Sequence, residues 1–203
     1  MATPFQSEDC IITERAGIID SGHVVHAAIA DTTGKILYPV GNPHRVILAR
    51  PTVKPAQALA VLETRAFDQF GFDDANLALM CASHNSESRH ISRANTMLAK
   101  VGAEEGDLAC GGHPTLSSAV NRAWIKSDYV PSAVCNSYSG KHAGMMGGAK
   151  AIGATVSNYH RSEHPMQLRV KQVFDELYSW DTNGPEWGVD RCNPPAPAAP
   201  LHV

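Results

Sequence analysis

The sequence contains no Cys-x-x-Cys pair, and its five cysteines (Cys10, Cys81, Cys110, Cys135 and Cys192) are odd in number and widely spaced. Neither a disulfide framework nor a paired-cysteine zinc finger is expected from that pattern. A strong charge of either sign is also missing. The formal net charge is -3 and the ten histidines are scattered, so nucleic acid and anionic membrane surfaces are not expected partners. No apolar run approaches the roughly 20 residues that span a bilayer. The N-terminal Met-Ala-Thr-Pro-Phe-Gln-Ser-Glu-Asp lacks the basic and apolar regions of a signal peptide. A reducing, cytoplasmic setting is the expectation.

What is present is ordinary globular material, 43% hydrophobic and 18% charged over 203 residues. That length buries one sizeable core, so a single domain over 1–203 is the default. Short apolar runs at 11–13, 24–30, 35–38 and 46–49 read as strands, with Asp31-Thr32-Thr33-Gly34 as a hairpin turn. Helices are expected over 56–63, 75–81 (capped by Asp73 or Asp74), 87–100 (closed by Gly102), 117–126, 140–152 and from His164-Pro165 to about 178. Strands first and helices after predict an α+β fold. Residues 193–203 form a Pro-rich tail, Asn193-Pro194-Pro195-Ala196-Pro197-Ala198-Ala199-Pro200, with too many prolines for a helix or a central strand. Its lack of a closing element predicts a chain cut short.

Three polar boxes carry the chemistry. In Arg50-Pro51-Thr52-Val53-Lys54-Pro55 a lysine stands at a helix start, where burial or a second cation would keep it neutral enough to take a hydroxyl proton. Pro51, three residues earlier, offers no hydroxyl. Thr52 offers one, but about 100° of helix rotation away from that position. Alternatively Thr52 caps the helix and Lys54 reaches to solvent. In Cys81-Ala82-Ser83-His84-Asn85, Ser83 follows a buried run and is a candidate nucleophile or proton relay, with His84 beside it. A turn serine is the structural alternative. Ser139-Gly140-Lys141-His142 opens a helix whose free amides suit a carboxylate or oxyanion, while the missing upstream glycine excludes a phosphate loop.

Taken in order, these boxes resemble the asparaginase II family, with matches that continue through Arg15-Ala16-Gly17-Ile18-Ile19, Lys54-Pro55-Ala56-Gln57-Ala58, Cys110-Gly111-Gly112-His113-Pro114, His164-Pro165-Met166-Gln167 and Gly188-Val189-Asp190-Arg191-Cys192-Asn193. The resemblance implies a fold similar to serine β-lactamases, an antiparallel sheet flanked by helices, here without the C-terminal part. It implies hydrolysis of the side-chain amide of L-asparagine to aspartate and ammonia. The family's serine–lysine pairs fall on position 51 with Lys54, and on Ser83 with a lysine from the later half. Its zinc ligands fall on position 138, Lys141 and Cys192.

The departures from that pattern are Pro51 for a serine, Tyr138 for a cysteine ligand and Arg191 for a glycine. A phenol with a pKa near ~10 is a poor zinc ligand beside a thiolate. The expected function is therefore an asparaginase II-like amidohydrolase with compromised or altered activity. Ser83, Lys54 and Thr52 are its candidate catalytic residues, and His84, Ser139, Gly140, His142 and Arg191 its candidate substrate contacts. The alternatives are recruitment to another reaction in a specialised metabolite pathway, or a catalytically dead binding subunit. A small-molecule amide or related metabolite is the expected ligand, and a homo-oligomer or partner chain is expected to cover the truncated face.

Overall fold

Gly17 and Ala16 both take positive φ (80° and 54°), the geometry of a two-residue hairpin turn, and so set the first pairing of the chain. In the computed structural model, which describes residues 10–49, 51–177 and 186–200, that turn joins β1 (Cys10–Arg15) to β2 (Ile18–Val24). A second antiparallel pair, β3 (Ala27–Ala30) and β4 (Ile36–Val40), is closed by Asp31. Its carboxylate accepts from Thr33 N at 2.8 Å, Thr33 Oγ1 at 2.6 Å and Lys35 N at 3.1 Å. The single strand expected over 24–30 is divided between β2 and β3. At the break, His26 Nδ1 accepts from Asn42 N at 2.9 Å.

The chain divides into two compact units. The first holds the described residues up to Leu48 together with those from Ala198, and the second spans Ala49–Pro197. In the first unit β5 (Ile47–Leu48) pairs antiparallel with Ala198 and Ala199 of β7 (Pro195–Ala199). The expectation that the Pro-rich tail forms neither a helix nor a central strand is therefore corrected for residues 195–199, which form the middle strand of their sheet. A proline lacks only the donor, and its carbonyl still accepts: Pro197 O from Ala49 N at 3.0 Å, and Pro194 O from Asp190 N at 3.0 Å. The intervening alanines are small enough to lie buried. Within the second unit β6 (Glu186–Val189) runs beside β7.

Helices fill the second unit, which with the strands makes the fold α+β: α1 (Lys54–Glu63), α2 (Ala66–Phe70), α3 (Asp74–Cys81), α4 (Ser88–Val101), α5 (Ser118–Lys126), α6 (Ser139–Ala151) and α7 (Pro165–Leu177). Local chemistry fixes their ends. Asp73 and Asn76 form a reciprocal capping box on α3, Ser117 caps α5 through Val120 N, and Gly102 closes α4 in the left-handed conformation. The expected helix from His164-Pro165 appears as α7, and its projected end at 178 lies outside the described residues. α2 was not expected, because five residues give too little periodicity to read.

At the centre lies α6, on which every residue from Ser139 to Ala149 is buried, and which packs against α1, α3 and α4. Its glycines cost helix propensity but let neighbouring backbones come close. A Cβ built on Gly140 would stand 2.8 Å from the Leu79 carbonyl oxygen and 2.7 Å from its Cγ, so α3 and α6 touch there through main chain. Gly140→Ala should therefore lower unfolding stability by about 1–3 kcal/mol, read as a reduced urea midpoint. A midpoint equal to that of the native protein would show that the two helices do not meet at this point.

Candidate active site

Lys54 opens α1, directly after a short 3-10 turn at Pro51–Val53, with its side chain pointing inward and only 3% exposed. Its target is the end of α3. Ala82 is extended (φ -90°, ψ 163°), which breaks the helix and turns the Ala82 carbonyl and the Ser83 side chain toward the amine. Lys54 Nζ donates to Ala82 O at 2.9 Å and is in short hydrogen-bond contact with Ser83 Oγ. Ser83 itself is exposed, so the hydroxyl meets the amine on one side and solvent on the other. Burial, and next the nearby Lys141 cation, depress the Lys54 pKa from 10.5 to about 8. The positive end of α1 acts in the same sense.

Lys141, on the first turn of α6, pairs with Asp190, with Nζ to Oδ2 at 2.7 Å and both side chains largely buried. Asp190 Oδ1 accepts from Cys192 N at 2.7 Å, so one carboxylate anchors both the lysine and the turn that carries the cysteine. Tyr138 lies between the two lysines, its ring centroid 4.3 Å from Lys54 Nζ and 5.2 Å from Lys141 Nζ. Both distances are within cation–π range. Asn136 sets the Tyr138 backbone by accepting from its N–H at 2.9 Å. Its Nδ2 donates to the Cys110 and Gly111 carbonyls, each at 2.8 Å.

Thr52 stays apart from this group: its hydroxyl donates to Ala49 O at 3.3 Å. His84 and Ser139 are buried and bonded to each other at 2.8 Å. Because Ser86 N donates to His84 Nδ1, the imidazole proton sits on Nε2 and points at Ser139 Oγ. Burial, with the neighbouring His90 ring second, lowers the His84 pKa to about 4, which keeps the ring neutral. Gly140 is a packing contact with α3. His142 is fully buried and meets the Tyr159 hydroxyl at 2.6 Å, while its Nε2 has no partner among the described residues.

Among the described residues, two of the cavities open on Ser83. One, about 580 Å³, lies toward His84, Glu87 and Arg93. The other, about 500 Å³, is walled by His113, Ser137, Tyr138, Arg191 and Cys192. The structure thus brings Ser83, Lys54, Tyr138, Lys141, Cys192 and Arg191 to one place. Asp190 and His113 lie in stretches that carry the family resemblance but are not among the candidate site residues, and Asn136 lies in none of them. An Asp two residues before a buried Cys is an Asx-turn signal that points to Asp190, whereas nothing local marks Asn136.

The residues present do not fit zinc. Lys141 is an ammonium committed to Asp190, Tyr138 offers its ring face to two lysines, and burial raises the Cys192 thiol pKa. Among the described residues no group of three His, Cys, Asp or Glu side chains is placed to hold a metal ion. Calorimetric titration of the native protein with Zn²⁺ should show no stoichiometric uptake, and Tyr138→Cys should bind more tightly. Tight one-to-one binding by the native protein would contradict this geometry. A search of curated protein sequences returns no match for this chain. The model of one family, L-asparaginase II, matches residues 11–203. With that match over nearly the whole sequence, the chain belongs to the L-asparaginase II family.

Proposed function

We propose that this protein is a serine–lysine carboxamide hydrolase, with Ser83 as nucleophile and Lys54 as its base, acting on a side-chain amide of the L-asparagine type. The observation that carries the proposal is the contact between Lys54 Nζ and Ser83 Oγ, made by a buried amine whose pKa is about 8. Pro51 removes the hydroxyl of one serine–lysine pair, and Ser83 supplies the hydroxyl that Lys54 meets. A serine β-lactamase-like arrangement belongs to the same proposal. Its support is the inward lysine at the start of α1 facing a serine just past the end of α3.

The chemistry balances on these two groups. Neutral Lys54 keeps one N–H on the Ala82 carbonyl and turns its lone pair to the Ser83 hydroxyl. As Oγ bonds to the amide carbon, the proton moves to Nζ and the carbonyl π pair moves to oxygen. Collapse of the tetrahedral intermediate breaks the C–N bond. The Lys54 ammonium returns its proton to the leaving nitrogen, which departs as ammonia. Water then gives a proton to Lys54 and attacks the acyl ester. The ester C–O bond breaks, and the proton passes back to Ser83 Oγ. The Lys141 cation favours the neutral form of Lys54, while Asp190 limits that effect.

A second reading, an altered substrate, is favoured by one observation. Tyr138 and Arg191, both departures from the family pattern, line the same cavity as Ser83.

Ammonia release from L-asparagine and related amides tests the dyad. Ser83→Ala should reduce kcat by at least about 10³-fold. Because the base acts when deprotonated, the native rate should climb with pH and level off above about 8. Lys54→Arg, which stays protonated, should abolish that rise. Native-like turnover by Ser83→Ala, or a rate independent of pH from about 6 to about 9, would sink the proposal.

A further inference from the structure

Arg191 stands in the wall of the cavity of about 500 Å³ that opens on Ser83. Its side chain is exposed and makes no hydrogen bond or ion pair among the described residues. The nearest acid in sequence, Asp190, is already committed through both oxygens, to Lys141 Nζ at 2.7 Å and to Cys192 N at 2.7 Å. Among the described residues no Asp or Glu lines the cavity. His113 cannot supply negative charge: its Nδ1 donates to the Pro114 carbonyl at 2.6 Å, and its Nε2 faces Ser137 Oγ at 3.4 Å. A free guanidinium in a concave wall without a counter-charge is a site for an anion, and its planar fork matches a carboxylate. The volume falls within the roughly 300–1,000 Å³ of small-molecule sites, which leaves room for more than the reacting amide.

We propose that Arg191 is a specificity-determining residue that binds a substrate carboxylate, so that the preferred substrates are carboxamide acids without a free α-ammonium group, either N-acylated or lacking the amine. The carboxylate pairs with the guanidinium while the amide reaches Ser83. An α-ammonium would find no acidic partner in this wall and would be repelled by Arg191. An acylated nitrogen, or none, carries no such cost. The inference rests on Ser83 as the reacting residue, and names the substrate class of that same site.

Binding separates the two claims, because Ser83→Ala removes turnover while Arg191 stays in place. Calorimetric titration of Ser83→Ala protein with N-acetyl-L-asparagine, succinamate and L-asparagine reads the preference. The two acids without a free amine should bind at least about tenfold tighter than L-asparagine, and less tightly as salt is raised. In the same background Arg191→Ala should weaken both by about ten- to hundredfold, with Arg191→Lys between. Equal or tighter binding of L-asparagine, unchanged affinity in Arg191→Ala, or no binding of either acid would overturn the inference. Ammonia release by the native protein judges hydrolysis separately. Binding through Arg191 without ammonia release would remove the serine–lysine reading and leave the anion site standing.

Discussion

The amine of Lys54, buried against a serine hydroxyl, is the constraint on which the rest of the second unit depends. A lysine with 3% exposure is costly to keep charged. The protein compensates with one carbonyl, one hydroxyl and an aromatic face, and leaves a second cation close enough to favour the neutral form. Each of these partners comes from a different segment. Ala82 and Ser83 follow the break at the end of α3, Tyr138 precedes α6, and Lys141 lies on its first turn. Burial among these segments and the Lys141 cation are what lower the proton affinity of Lys54.

Holding those segments together is the task of α6. A helix buried along eleven residues brings Ser139, Lys141 and His142 into the interior, and each polar group must find a partner there. Ser139 meets His84, Lys141 meets Asp190 and His142 meets Tyr159. Gly140 lets the helix start lie against the main chain of Leu79, and so fixes the separation between the Lys141 side and the Ser83 side of the site. The close packing of α6 and the geometry of the site are one arrangement.

Much of this was legible in the sequence. Capping residues such as Asp73 and Gly102 announced helix ends through chemistry that acts within four residues. Lys54 and Ser83 were marked by their place beside helix boundaries, and the family by the order of the boxes. The partners of these residues were not legible. Whether Lys54 meets Ser83 or Thr52 depends on the approach of α1 to α3, a contact between residues 29 apart that no local pattern encodes. The role of Asp190 was hidden for the same reason, since Lys141 lies 49 residues away. Residues 195–199 run against expectation because proline's low strand propensity counts the missing donor, whereas the Pro197 carbonyl of β7 still accepts from Ala49 N.

The central claim is that Lys54 gives up its proton near pH 8, far below an ordinary lysine, so that the neutral amine is available to Ser83 as the pH rises to that point. Its most direct test is an NMR titration of protein carrying ¹³Cε-lysine, with the Lys54 resonance assigned by its loss in Lys54→Met. The account predicts one lysine titrating near about 8, well below the ordinary 10.5. A Lys54 resonance that stays protonated until the ordinary lysine range would contradict it, and would leave Ser83 without a base.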